Sequence, residues 1–260
     1  MRLCIVTVIK DEHLYLDDFL TYHLGLGIDH IFVYEDVNSK SHKSICDKYE
    51  NVSLHSVKEL FQDGLSVKPK QLNVYWRILP EIKINYDYEW CFFIDSDEYI
   101  TLENEGDNLH DIMSEYKNYD CVILKWMNYG ADGRVERPDY SKIRVVDAFT
   151  TPTTNMMRKD NEANSSKIAY NMNRFSKKVL SYHHMPSKIA RWCWTDYTND
   201  IMKPSYKKVY IRHYITKSWD EYVWKIKVRG DYYKGNRKYQ NFFDINKDME
   251  DRKEELMGRI

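Results

Sequence analysis

Residues 90–100 read Trp-Cys-Phe-Phe-Ile-Asp-Ser-Asp-Glu-Tyr-Ile, an apolar run that ends abruptly in acids. Such a run without polar alternation reads as a strand buried on both faces, which calls for a parallel sheet covered by helices. In an extended segment residues i and i+2 point the same way. Asp95 and Asp97 are therefore expected to project together from the strand's carboxyl end. Open α/β sheets bind their ligands at those ends. Two close carboxylates raise each other's pKa unless a cation lies between them. Their hard oxygens suit Mg²⁺ or Mn²⁺, which also hold phosphate oxygens. The bland alternative is a polar strand end whose Glu98 caps the next element.

The segments before this run supply the rest of such a sheet. LCIVTVI forms a first strand that stops at Lys10-Asp11-Glu12. Leu16, Phe19, Leu20, His23 and Leu24 then recur at helical spacing, with acids at the start and Gly25 and Gly27 at the end. HIFVYED, a short helix over residues 45–49 and VSLHSV follow, and residues 70–85 carry a longer helix that Pro80 stops or kinks. This β-α-β-α-β order predicts an α/β fold with a mostly parallel, doubly wound sheet and flanking helices. Farther on, VILKW (122–126) and VYIRHYI (209–215) read as strands, residues 219–228 as a helix, and residues 150–170 as a mobile polar loop. The remainder after Gly230, ending KDMEDRKEELMGRI, reads as a charged terminal helix. The expected division is a catalytic domain over 1–215 and a basic helical extension over 216–260 packed on it.

Composition excludes several classes. Hydrophobic residues make up 43% of the 260, enough for a packed core. The five cysteines (4, 46, 91, 121, 193) are scattered without a CxxC pair, which argues against a disulfide framework or a structural zinc. Cys4, Cys91 and Cys121 sit in apolar runs and read as buried thiols. A net charge of −1 announces no nucleic-acid partner. Charge is uneven, however: Lys203 to Gln240 holds eleven Lys/Arg against three acids. Such a stretch can meet a diphosphate, a lipid carrier or a membrane surface, or can simply be a solvated helix face. Charged residues come too early for a signal peptide, and no apolar run spans a bilayer. The expected location is cytoplasmic, with peripheral contact at the inner membrane face through the basic segment.

Five blocks, in order, resemble glycosyltransferase family 92 and its bacterial family-2-like relatives. They are IVTVIKDEHLYLDDFLTYHLGLGIDHIFVYED; Gln71 and Tyr75 with EWCFFIDSDEYI; Lys125-Trp126 with Tyr129, Gly130 and Gly133; Lys167 to Pro186, ending HHMP; and IRHYITKSWDEYVWKIKVRGD. The resemblance implies a GT-A-type fold and a nucleotide-diphosphate sugar donor, with galactose the first expectation for the sugar. It implies a glycan or lipid-linked glycan acceptor in surface polysaccharide or glycan synthesis, and Mn²⁺ or Mg²⁺ as cofactor. Asp95 and Asp97 would bind the metal, and Lys10, Glu12, Asp36 and Gln71 would line the donor pocket. His213 matches the histidine of the last block and would complete the metal site, with His183 and His184 as rivals. One departure stands out: the family's Gly-Ser-Ser-Gly-like turn is here Gly130-Ala131-Asp132-Gly133.

Other roles rest on residue chemistry. An inverting transfer, the expected course, needs a carboxylate base, for which Asp132, Glu136 and Asp139 are candidates. Trp126 and Tyr129 offer rings for an acceptor sugar, though a Trp at a strand end more often belongs to the core. Lys217 and Arg229 are candidates for the donor diphosphate. A nucleotidyltransferase is the rival enzyme, but such enzymes usually show a Gly-rich phosphate loop where this chain has Lys10-Asp11-Glu12. A carbohydrate-binding module would use the aromatics without needing Asp95 and Asp97.

Overall fold

The computed structural model describes residues 1–36, 38–61, 71–153, 166–174, 192–194, 208–229 and 237–260. In chain order the elements are β1 (Leu3–Ile9), α1 (Leu16–Gly25), β2 (His30–Glu35), α2 (Lys43–Cys46), β3 (Val52–Ser56), α3 (Gln71–Asn85), β4 (Trp90–Phe93), β5 (Glu98–Leu102), α4 (Leu109–Glu115) and β6 (Cys121–Tyr129). After them come α5 (Val145–Ala148), β7 (Pro152–Thr153), β8 (Ser166–Asn171), β9 (Trp192–Trp194), β10 (Val209–His213), α6 (Trp219–Lys227), α7 (Arg237–Ile245) and α8 (Lys253–Met257). Turns of 3₁₀ helix span Val57–Phe61 and Lys247–Arg252. Among the described residues no helix is long and apolar enough to cross a membrane.

The chain divides into two compact units, one of residues 1–126 and 163–211, the other of residues 127–162 and 212–260. The strands follow the order β3-β2-β1-β4-β8-β6-β10-β5, with β7 and β9 both paired to β6. β1 runs parallel to β2 and to β4, and β2 parallel to β3. These four strands are the doubly wound half that the sequence predicts. β8 then inserts antiparallel between β4 and β6, so the sheet is mixed rather than parallel throughout. Order reverses at β1, since β2 lies to one side of it and β4 to the other. That reversal opens a crevice beyond the carboxyl ends of β1 and β4.

Burial explains why these elements form. β4 is buried along its whole length, and α1 packs Leu16, Phe19, Leu20 and His23 inward. Each such apolar side chain contributes roughly 1.5–3 kcal/mol. The thiols of Cys4, Cys91 and Cys121 are buried as expected, and Cys46 joins them. His23 is wholly buried, with Nδ1 donating to the Phe19 carbonyl at 2.8 Å and Nε2 accepting from the Ile100 amide at 3.2 Å. Burial drives its pKa down to about 3, so the ring is a neutral brace between α1 and β5.

Three expectations need correction. β8, whose six residues are all buried, begins inside the loop expected over 150–170. The polar residues of SKIAYN hide a central strand because Lys167 finds Asp95 and Glu98 inside, and Asn171 the Lys117 and Tyr119 carbonyls. Pro80 does not stop the helix expected over 70–85, which runs from Gln71 to Asn85. The terminal segment is a 3₁₀ turn followed by α8 rather than one helix, and α7 precedes it.

In the second unit Trp219, Tyr222, Phe242, Phe243, Met249 and Leu256 share a core. α6 starts on a capping box: Ser218 Oγ accepts from the Glu221 amide, and Glu221 Oε2 accepts from the Ser218 amide at 3.1 Å. Asn246, 2% exposed, ties the Gly130–Gly133 turn to α7. Its Oδ1 accepts from the Ala131 amide at 2.5 Å, and its Nδ2 donates to the Phe242 carbonyl at 2.8 Å and to Thr216 Oγ1 at 3.2 Å. A Cβ on Gly130 would meet that Oδ1 at 2.6 Å, so the first glycine of the turn is a packing requirement. Asn246→Ala is expected to cost about 1–3 kcal/mol in urea unfolding, because it leaves the Ala131 amide buried and unpaired. A loss below a few tenths would contradict this account.

Candidate active site

β4 ends at Phe93, opposite Val6 of β1, and the chain turns sharply before β5 begins at Glu98. Ser96 and Asp97 lie in that turn, which the Glu98 amide closes by donating to the Asp95 carbonyl at 3.0 Å. The two aspartates therefore do not share one extended strand, and the period-2 reason for their pointing together is replaced by a tight turn. Both are half-buried, while Ser96 and Glu98 on either side are buried. The Asp95 amide donates back to Glu98 Oε2 at 2.9 Å, which fixes the turn from within.

Beneath the turn lies Lys167 of β8, fully buried, with Nζ 2.8 Å from Asp95 Oδ2 and 3.3 Å from Glu98 Oε2. Its ammonium also lies 5.9 Å from the centre of the Trp126 ring. Burial works against the charge of Lys167, but Asp95 and Glu98 outweigh it and its pKa is raised. Glu98 is pushed well above the usual carboxylate range, by burial first and then by Asp95 and Asp97, with Lys167 opposing. Among the described residues its buried Oε1 has no hydrogen-bond partner. Neither Lys167, which opens a family-like block, nor Glu98, read as a cap, is a site residue in the sequence analysis. The signal for Glu98 was its place directly after Asp97. Lys167 fell in a segment read as loop.

Beyond the carboxyl ends of β1 and β2, the candidate donor residues are laced together through the main chain. Lys10 is half-buried at the end of β1. Glu12, 4% exposed, donates its amide to His42 Nε2 at 2.9 Å, and His42 Nδ1 donates to Glu35 Oε1 at 2.9 Å. Burial lowers the His42 pKa against the pull of Glu35, which keeps the ring in that neutral tautomer. The Asp36 amide donates to the Ile9 carbonyl at 2.8 Å, and its Oδ1 caps the Asn38 amide. Asp11 stands at φ +53° where a phosphate loop would carry glycine. Gln71 opens α3, and its side chain lies outside the described residues. His183 and His184 also lie outside them.

The remaining candidates belong to the second unit. His213 is 8% exposed and its Nδ1 donates to Asn128 Oδ1 at 3.1 Å, which places the lone pair of the neutral ring on Nε2. Lys217 is buried just ahead of α6 at φ +53°, and Arg229 is half-buried past its end. Tyr129 is buried under the Arg212 guanidinium, 5.5 Å from the ring centre. Of the three candidate bases, Asp132 is engaged in the turn, its Oδ2 accepting from the amides of Thr150 and Thr151. Asp139 pairs with Lys142, and that bond and Ser141 hold its pKa down to about 2, making it a poor proton acceptor. Glu136 is exposed.

Among the described residues no group of three or more His, Cys, Asp or Glu is placed to hold a metal. Two carboxylates at a strand end nevertheless fit the usual Mg²⁺ arrangement, in which one or two protein carboxylates are completed by water and substrate phosphates. A cation there would draw on Asp95 and Asp97 and would help neutralise a leaving diphosphate.

No curated protein sequence matches this chain significantly. Among solved structures, glucosyl-3-phosphoglycerate synthase from Mycobacterium tuberculosis, crystallised with Mn²⁺, UDP and glucosyl-3-phosphoglycerate, is 15% identical with a TM-score of 0.35. The match covers 66% of this chain but only 57% of that enzyme. HddC from Yersinia pseudotuberculosis is 8% identical with a TM-score of 0.41, over 82% of this chain and 93% of that one. Both likenesses are too distant to carry residue roles across. The sequence profile of glycosyltransferase family 92 behaves differently, since it matches residues 1–253 of the 260. The chain belongs to glycosyltransferase family 92.

Proposed function

We propose that the protein transfers a sugar from a nucleotide-diphosphate donor to a glycan or lipid-linked glycan acceptor, with Mn²⁺ or Mg²⁺ held by Asp95 and Asp97. One observation carries the reading: the acidic turn stands at the sheet's reversal point, over a buried lysine that holds Asp95 in place. Family membership supports the reaction class. In this reading Lys10, Glu12, Asp36 and Gln71 surround the nucleoside, and Lys217 and Arg229 face the diphosphate. Trp126 and Tyr129 serve the acceptor. His213 is a further metal ligand, and its Nδ1 bond to Asn128 supports this, because ligating histidines commonly donate their other ring N–H to a fixed acceptor. For an inverting transfer Glu136 is the preferred base, since Asp132 is committed to its turn and Asp139 to Lys142. The sugar proposed first is galactose, and the product a surface polysaccharide or other glycan. The basic C-terminal residues support work at the cytoplasmic face of the inner membrane.

A nucleotidyltransferase is disfavoured by the non-glycine turn after β1, and a pure sugar-binding module by the acidic turn itself. Thermal melts separate the three. UDP or GDP with Mn²⁺ should stabilise a transferase by about 2.7 kcal/mol at a hundred times Kd. Incubation with a panel of nucleotide sugars should then release nucleoside diphosphate, and EDTA should stop it. Release of pyrophosphate from nucleoside triphosphate would favour the nucleotidyltransferase. Indifference to every nucleotide would leave the binding module.

A further inference from the structure

A cavity of about 260 Å³ opens at the β2–β3 edge of the first unit. None of its lining residues belongs to the acidic turn or to the loops after β1 and β2. Phe32 and Tyr34, two residues apart on β2, face it together with His55 of β3. Tyr34 and His55 stack at 4.9 Å with their planes 20° apart. Tyr86, just past α3, meets Phe32 edge-on at 5.1 Å and is 43% exposed. Two exposed carboxylates complete the lining, Glu59 from the 3₁₀ turn and Glu81 from α3.

The chemistry of this lining narrows the occupant. Among the described residues no lysine or arginine lines the cavity, and two carboxylates do, which disfavours a phosphate, a nucleotide or another anion. Among the described residues buried His55 Nε2 has no hydrogen-bond partner, a costly state that a ligand's polar group would relieve. Carboxylates accept hydrogen bonds only, so the matching ligand brings several donors along with an apolar face for the tyrosine. An organic ammonium also fits negative charge. It is bound best where ring faces enclose it, however, and here one face each of Tyr34 and His55 is already used by their mutual stacking.

We propose that this cavity is a second sugar-binding site, taking one neutral pyranose ring with its C–H face on Tyr86 and its hydroxyls on Glu59, Glu81 and His55. The assignment rests on the cavity alone and needs no chemistry at the acidic turn. Its role would be to hold a glycan chain by a unit distant from the reacting one.

Saturation-transfer NMR on the full chain tests it, with methyl glycosides of glucose, galactose and N-acetylglucosamine, and with choline, all in saturating UDP and Mn²⁺. At least one glycoside should bind, and Tyr86→Ala should weaken it about tenfold. Glu59→Gln should weaken it severalfold, and neither variant should change UDP affinity. Tyr86 is exposed enough for its replacement to leave the fold intact, which a thermal melt verifies. Absence of glycoside binding, binding untouched by Tyr86→Ala, or binding of choline alone would overturn the proposal. Failure of UDP to bind would count against the transferase reading and leave this one standing.

Discussion

Lys167→Met should destabilise the protein by about 3–5 kcal/mol, the usual cost of removing one partner from a buried ion pair. The lysine is wholly buried, as is Glu98, and Asp95 keeps only part of its surface in water. Methionine fills much of the same volume, so the loss is electrostatic rather than a cavity effect. What remains is Glu98 without the ammonium that favoured its charged form, so keeping it buried requires either an uncompensated charge or a bound proton. Adding Glu98→Gln to Lys167→Met should therefore recover a good part of the loss, since no buried charge is then left uncompensated beneath the turn. Urea unfolding of the wild type, both single variants and the double variant closes the cycle. A single-variant loss under about 1 kcal/mol, or a double variant no more stable than Lys167→Met, would remove Lys167 from this role.

That lysine also shows where sequence reading succeeds and where it stops. The parallel half of the sheet was legible because β1, β2 and β4 are short apolar runs and α1 between the first two has clear periodicity. Both signals are local. β8 is not legible, because a strand that opens on a serine and a lysine looks like a surface loop until its partners are known. Those partners lie 72 and 69 positions away in the chain, at Asp95 and Glu98. The acidic triplet is legible in the sequence, but its geometry is not. Glu98 folds back on the Asp95 amide and turns the chain, where an extended strand had been expected. The family-like blocks mixed two kinds of residue. His23 braces a strand and Ser218 with Glu221 caps a helix, so the part of a motif that repeats is in places the part that folds.

The second large effect is expected at Asp97, and comparison with Asp95 makes it diagnostic. If the turn holds a divalent cation, Asp97→Asn removes a ligand charge and should lower turnover about 10²–10³-fold. Manganese affinity in the presence of UDP, read by the loss of the free-ion EPR signal, should fall with it. Folded stability is the second readout, and there the reference is Asp95, which pairs with Lys167 at 2.8 Å. Asp95→Asn is expected to abolish transfer as well, and in addition to cost about 1–3 kcal/mol in the melt through the weakened bond to Lys167. The two variants thus separate metal binding from the scaffold beneath it. His213→Ala extends the series: a smaller, severalfold drop in manganese affinity supports it as a further ligand, and unchanged affinity strikes it from the site. Full activity of Asp97→Asn in the presence of chelator would end the metal reading altogether, because no electrostatic role of that carboxylate would then remain to be explained.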